Sequence, residues 1–451
     1  MKKLFKCVII SIVNFVFVIL PVFSSENQLP EEKKTMLIEK LKTASLVIYK
    51  DGEITTYTEH NLVPVIKYLD TNDNFKGAFV FDKTVGRAAA YLYVYGNADY
   101  VYADTISKPA KKILKKNKIK FEYKKAVSEI KNKDNTDLCP FEKLTKNAIN
   151  SSQAYGLIYK KTYPDSAIVY FTHKISPSKL IELYATTGKK LNGNVAVKLH
   201  SGEPGGHNFL KPEFVKPVVE YLNATIVECN TAYEGRRNTT KKHLETIKEH
   251  GFDKIAKVDI MDSEGQMILP VPNGKQIKVN YVGSHLKNYN SMLVLSHFKG
   301  HQMGGFGGAL KNLSIGVASS YGKAYIHGAG EPENMWNCEQ DRFLEAMADA
   351  DKSVIDYFNG NITFINVMNN MSVDCDCNSN PAVPEINDIG MLSSTDPVAL
   401  DQACVDLVYK SDDEGKKALI QRIESRHGIH TIEAAAELNI GTRKYKLIKL
   451  K

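Results

Sequence analysis

Residues 291–313 read S-M-L-V-L-S-H-F-K-G-H-Q-M-G-G-F-G-G-A-L-K-N-L. The first seven form a short apolar run with the length of a buried strand, and the residues from Ala309 onward, A-L-K-N-L-S-I-G-V-A, have the make-up of a helix. Strand, glycine-rich loop and helix make the repeating unit of an α/β sheet, where ligands gather outside the carboxyl ends of strands. Glycines at 300, 304, 305, 307 and 308 let backbone amides approach a ligand, and the helix that follows presents its positive end. On this reading Gly304, Gly305, Gly307 and Gly308 bind the ligand, and Lys311, one turn into the helix, reaches an anionic or carbonyl group as the candidate catalytic residue. His297 and His301 flank Gly300 and, with His327, are candidate metal ligands. The alternative for the glycines is a tight turn where the helix packs closely on the sheet.

A second candidate lies about sixty residues downstream, where I-T-F-I-N-V leads into Asp374-Cys375-Asp376-Cys377. Two thiols two residues apart suit a soft or borderline cation or thiol exchange. The spacing argues against a disulfide within the pair, because the ring would be strained. If the two strands are parallel, their loops emerge on one side, and His297, His301 or Lys311 shares a cleft with Cys375 and Cys377. Arg236 and Arg237 follow Gly235 and are placed to clamp a phosphate or carboxylate, and His200 follows the strand N-V-A-V-K-L. Asp396, Asp401 and Asp406 read as a helix N-cap and two later helical residues, with a structural role.

Upstream, over residues 40–146, S-L-V-I-Y-K-D-G-E-I-T-T-Y reads as a hairpin turning at Asp51-Gly52. Alternating strands and helices follow, ending in the strand I-K-F-E-Y-K-K, again a layered α/β pattern. The chain therefore divides into two α/β domains, at 40–146 and 159–451, the larger with a mostly parallel sheet.

The phrases F-D-K-T-V-G-R-A-A-A, V-Y-A-D-T-I-S-K-P-A and D-L-C-P-F-E resemble the family called domain of unknown function 1893. That resemblance implies a cytidine-deaminase-like fold. Zinc deaminases need His-x-Glu at one helix start and Pro-Cys-x-x-Cys at the next. Here those places hold Gly86-Arg87-Ala88-Ala89 and Lys108-Pro109-Ala110-Lys111-Lys112, so no zinc is expected in this domain and its role is ligand or partner binding. Cys139-Pro140-Phe141-Glu142 reads as a helix start whose dipole Glu142 favours, or as a reactive thiol beside an acid.

In the second domain, V-K-L-H-S-G-E at 197–203, N-T-A-Y-E-G-R-R at 230–237, the glycine phrase, D-C-D-C and S-T-D-P-V-A-L-D-Q-A at 394–403 resemble the family called domain of unknown function 362. The resemblance implies a redox or transfer protein with an iron–sulfur or transition-metal centre, served by a redox partner or a small anionic ligand. Many relatives insert a ferredoxin module after the glycine loop. This chain runs directly from Gly322-Lys323 to Trp336-Asn337-Cys338 and lacks the spaced cysteines of such clusters. A weaker likeness to the nickel-dependent lactate racemases aligns His301, Gly307, Gly308 and Lys311. An exported binding protein and a sensor on a scaffold are the alternatives to an enzyme.

The ends and the bulk fix the rest. Lys2, Lys3 and Lys6 precede an apolar run from Cys7 to Phe23, then Ser24 and Ser25, the pattern of a signal peptide or anchor over residues 1–24. Export, and membrane contact only through that segment, follow as expectations, with a cytoplasmic location as the alternative. Net charge is +8, with much of the excess after Lys108, but no arginine cluster or aromatic platform accompanies it, so nucleic acid is not an expected partner.

Overall fold

The computed structural model describes residues 29–451, so the expected leader at 1–24 lies outside the described residues. Among the described residues no helix is long and apolar enough to cross a membrane.

The first sheet has five strands in the order Glu53–Tyr57, Leu46–Lys50, Phe79–Val85, Tyr100–Ser107, Lys120–Val127. Its hairpin turns at Asp51 and Gly52, whose φ angles of 51° and 88° are the left-handed pair a two-residue turn requires. The last three strands are parallel, and the helices Arg87–Tyr95 and Lys108–Lys116 connect them. In the lysine-rich helix Ala110 and Leu114 are buried, while Lys108, Lys112, Lys115 and Lys116 are exposed. The edge strand that follows is mostly exposed and carries Lys120, Lys124 and Lys125, charges that discourage pairing with another chain.

The second sheet has eight strands in the order Tyr445–Lys449, Ala167–Thr172, Gly390–Ser394, Ile362–Met368, Ser291–His297, Val195–Lys198, Thr225–Glu228, Val258–Ile260. Only Gly390–Ser394 runs antiparallel to its neighbours. Every residue of the strands Ser291–His297 and Ile362–Met368 is buried, as expected where helices cover both faces. From Val195–Lys198 the chain first builds outward to Val258–Ile260, then returns to add Ser291–His297 on the other side. The order reverses between those two strands, and a crevice opens at such a switch point.

The domains do not separate at residues 147–158. The helix Ser151–Thr162, capped by Asn150 accepting from the Gln153 amide, packs against helix Arg87–Tyr95 of the first domain and strand Tyr445–Lys449 of the second. One apolar core, including Leu92, Tyr95, Tyr155, Ile158 and Ile448, runs through both.

Candidate active site

The strands Val195–Lys198 and Ser291–His297 are adjacent and parallel, as are Ser291–His297 and Ile362–Met368, so their following loops share one edge. There they enclose a cavity of about 310 Å³ lined by Lys198, His200, Glu228, His297, Lys299, His301, Lys311, Lys323, His327, Arg237 and both Cys375 and Cys377. Trp336, the chain's single tryptophan and 62% exposed, also lines it.

Charge is the cavity's first property. Lys198, Lys299, Lys311, Lys323 and Arg237 line it against one lining carboxylate, Glu228. Glu228 is wholly buried 3.1 Å from Lys198. Burial alone would raise its pKa, but Lys198 and nearby His200 hold it well below the usual carboxylate range. Arg237 binds Glu203 at 2.7 Å, and Lys299 binds Asp376 at 2.9 Å. Lys311 has no carboxylate or hydrogen-bond partner among the described residues. Burial first, then Lys299, Lys323 and Lys198, push its amine down to about 7.

The backbone fixes the histidines. His301, at the tip of the strand Lys299–His301, accepts at Nδ1 from the Met303 and Gly304 amides at 3.1 and 2.9 Å. In the neutral ring the proton therefore sits on Nε2. His327 ends the helix Ser320–His327 and donates from Nδ1 to the Lys323 carbonyl at 2.7 Å, which leaves Nε2 a lone-pair acceptor. Burial and then Lys311 lower both rings, His327 to about 4, so both are neutral near pH 7. One cavity thus holds a histidine donor, a histidine acceptor and a half-protonated amine.

Several expectations need correction. His297 has no nitrogen left for a metal: Nδ1 meets Asp376 at 2.9 Å and Nε2 the Asn369 carbonyl at 2.6 Å. Arg236 points away to Glu249 at 2.8 Å, and its neighbour Arg237 is the arginine that enters the cavity. The end of the helix Ala309–Val317 is not offered to a ligand, because Asp401 accepts from the Ala309 and Leu310 amides at 2.8 and 3.0 Å. The glycines chiefly permit close packing. A Cβ at Gly308 would stand 2.5 Å from Asp401 Oδ1, and one at Gly305 2.8 Å from the Gly428 backbone. Gly307 and Gly308 line the cavity, while Gly304 and Gly305 do not. His200 does, with Nδ1 accepting from the Gly202 amide at 3.0 Å. Cys229 also lines it, but burial pushes its thiol up to about 12, so it is inert.

Cys375 and Cys377 are joined as a disulfide. The spacing had argued against this, yet the loop turns tightly, with the Asn378 amide donating to the Cys375 carbonyl at 2.9 Å, and the Cα atoms stand 5.1 Å apart, inside the ordinary range. A ring nitrogen of His301 and the two sulfurs lie within 4.8 Å of one another. No third thiol joins this group among the described residues, so a four-iron cluster does not fit. A single soft cation fits only with the disulfide reduced and the His301 proton moved off Nε2.

Sequence alone does not single out Lys198, Glu228, Lys299 or Lys323, and it offers Asp376 only as a flank of the two cysteines. Lys198 stood in the phrase V-K-L-H and Asp376 between the two cysteines, but nothing local marked them as paired.

In the first domain Glu142 does not serve its own helix. Its carboxylate accepts from the Ala88 amide at 3.3 Å, at the start of helix Arg87–Tyr95, and a Cβ at Gly86 would meet it at 2.4 Å. The start of that helix, where Gly86-Arg87-Ala88-Ala89 stand, is thus closed by the chain's own acid.

The family model described as domain of unknown function 362 matches residues 195–406, and that described as domain of unknown function 1893 matches residues 34–161. A solved domain of unknown function 1893 family protein from Thermotoga maritima is 30% identical over 29% of this chain and 88% of its own, with a TM-score of 0.28. The lactate racemase apoprotein from Thermoanaerobacterium thermosaccharolyticum is 13% identical over 63% of this chain and 82% of its own, with a TM-score of 0.33. No curated protein matches.

Proposed function

We propose, for a chain that belongs to the domain of unknown function 362 family and carries a domain of unknown function 1893 ahead of it, that the basic cavity is the active site of a transfer enzyme acting on a small anionic carbonyl compound. Lys311 is its reacting amine. The observation that carries this is a lysine with no partner among the described residues, held near pKa 7 in a cavity with surplus positive charge. An amine half-neutral at physiological pH is a nucleophile or a base, whereas an ordinary lysine is neither. An anionic substrate balances the remaining cations, His301 donates to it, and the free Nε2 of His327 takes a proton.

The test uses glyoxylate and pyruvate as probes with cyanoborohydride. Attack of the neutral amine on the carbonyl with loss of water gives an imine, and the hydride reduces it to a stable adduct. Peptide mapping is expected to find the adduct at Lys311, at least tenfold above any surface lysine and absent in Lys311→Arg. Labelling spread evenly over the surface lysines overturns the reading.

A second reading, supported by the approach of His301 to Cys375 and Cys377, adds a soft transition metal to this wall. It ranks below the first because it needs reduced thiols and costs His301 its two amide contacts. Elemental analysis of protein purified anaerobically with a thiol reductant tests it. One equivalent of metal lost in Cys375→Ser is the expected result, and a metal-free protein removes the reading.

A further inference from the structure

A second groove, of about 540 Å³, lies beside the cavity and is lined by Glu203, Tyr233, Arg236, Gln302 and Asn378 with both Cys375 and Cys377. The same two cysteines line the inner cavity. The pair is therefore a partition with a space on either side, and neither the lysine chemistry nor a metal makes use of the outer one.

The two sulfurs are not equivalent. Cys375 is buried at 5% exposure, whereas Cys377 is half-buried. The Cys377 backbone amide donates to Cys375 Sγ at 3.1 Å. In thiol–disulfide exchange the accessible sulfur is attacked and the better-stabilised sulfur leaves. A thiolate that forms on Cys375 is met at once by an N–H already aimed at it, with Lys299 and Arg237 in the wall behind.

We propose that Cys375–Cys377 is an exchangeable disulfide, opened at Cys377 from the outer groove by a low-molecular-weight thiol. The incoming thiolate RS⁻ forms a bond to Cys377 Sγ, the Cys375–Cys377 bond breaks, and its electron pair leaves on Cys375 Sγ. A second RS⁻ attacks the R sulfur of the mixed disulfide, releasing RSSR and the Cys377 thiolate, and both thiolates take up protons. Two thiols are oxidised and one disulfide is reduced. Opening the partition alters the cavity wall beside His301 and frees two thiols there, so the state of this pair sets what the cavity holds.

Glutathione is the probe, used on the full chain. Incubated with oxidised glutathione, Cys375→Ser is expected to trap a mixed disulfide at Cys377 at least tenfold faster than Cys377→Ser traps one at Cys375, read by peptide mass mapping. The wild-type pair is expected to resist alkylation until reduced. Melting curves of both variants establish that each is folded. Exchange is expected to persist in Lys311→Arg, which keeps this outcome separate from the lysine chemistry. Equal trapping at both cysteines, or a wild-type pair still alkylated after equilibration with excess oxidised glutathione, overturns the proposal.

Discussion

His301 and His327 carry the same side chain in the same cavity and are set to opposite tasks by backbone groups a few residues away. Two amides fill Nδ1 of His301, and one carbonyl takes the Nδ1 proton of His327. Between them Lys311 depends on neighbours of its own sign: Lys299, Lys323 and Lys198 oppose its proton once burial has removed the water. Only the deprotonated amine attacks a carbonyl, so the rate of adduct formation at Lys311 is expected to rise with pH and reach half its maximum at about 7. Replacing a repelling neighbour in Lys323→Met is expected to move that midpoint upward, seen as slower labelling at pH 7 and unchanged labelling at pH 10. An unmoved midpoint would remove Lys323 from the groups that set it and leave burial with Lys299 and Lys198. The sequence pointed to His301, His327 and Lys311 because histidines and a lysine near glycines are conspicuous. It could not reveal their protons, since those are fixed by amides and carbonyls that take position only in the folded chain.

The helix Ala309–Val317 shows the same limit one scale up. Its place after a buried strand and a glycine run was legible from composition, as was the parallel neighbour Ile362–Met368. Which group fills its positive end was not, because Asp401 lies 92 residues from Ala309. Asp401 also accepts from Asn366 Nδ2 at 2.7 Å, so Asp401→Ala leaves two buried amides without an acceptor and Asn366 Nδ2 with only the weak acceptor Cys404 Sγ. Each lost contact costs about 1–3 kcal/mol when buried, and the variant is expected to be among the least stable single substitutions in this domain by urea unfolding. Asp351 presents the reverse case, in the long helix Gln340–Phe358. It is fully buried, with the Ser314 amide as its one approach and no hydrogen bond of good geometry, and burial followed by Asp401 holds its pKa well above the usual carboxylate range. The folded state therefore keeps a proton that the unfolded state releases above about pH 4. The stability that proton contributes is present in acid and declines as pH rises toward the folded pKa. Asp351→Asn, which is neutral at every pH, is expected to raise the Tm at pH 8 by a few degrees and to have little effect at pH 4.

At the scale of the whole chain the two families of fold are welded by its last strand. Tyr445–Lys449 extends the eight-stranded sheet as a parallel partner of Ala167–Thr172, and the same strand faces the first domain. Its Lys449 amide donates to Tyr95 Oη at 3.2 Å, the Ser152 hydroxyl donates to the Lys449 carbonyl at 2.9 Å, and Lys446 pairs with Asp70. Tyr155 Oη reaches the same Asp70 at 3.2 Å, so helix Ser151–Thr162 is clamped from both sides. This is why a boundary at 146 and 159 reads well in composition and poorly in space. The polar stretch N-A-I-N-S-S around Asn150 looks like a linker but supplies a helix cap, and strand Tyr445–Lys449 is nearly three hundred residues away from the hydroxyl it meets. A chain ending after Lys444 loses the edge strand and its contacts with Tyr95, Ser152 and Asp70, while the cavity, at the switch point several strands inward, keeps all its lining residues. Two consequences follow together. The single cooperative melt expected of the intact chain splits into two transitions, because the shared core around Tyr95, Tyr155 and Ile448 is opened and each sheet then unfolds on its own account. Labelling of Lys311 by glyoxylate and cyanoborohydride persists below the first transition, because no residue of the cavity touches the removed strand. A truncated chain that still melts in one step places the coupling elsewhere in the interface, and loss of Lys311 labelling in a folded truncation places the cavity under the control of the first domain.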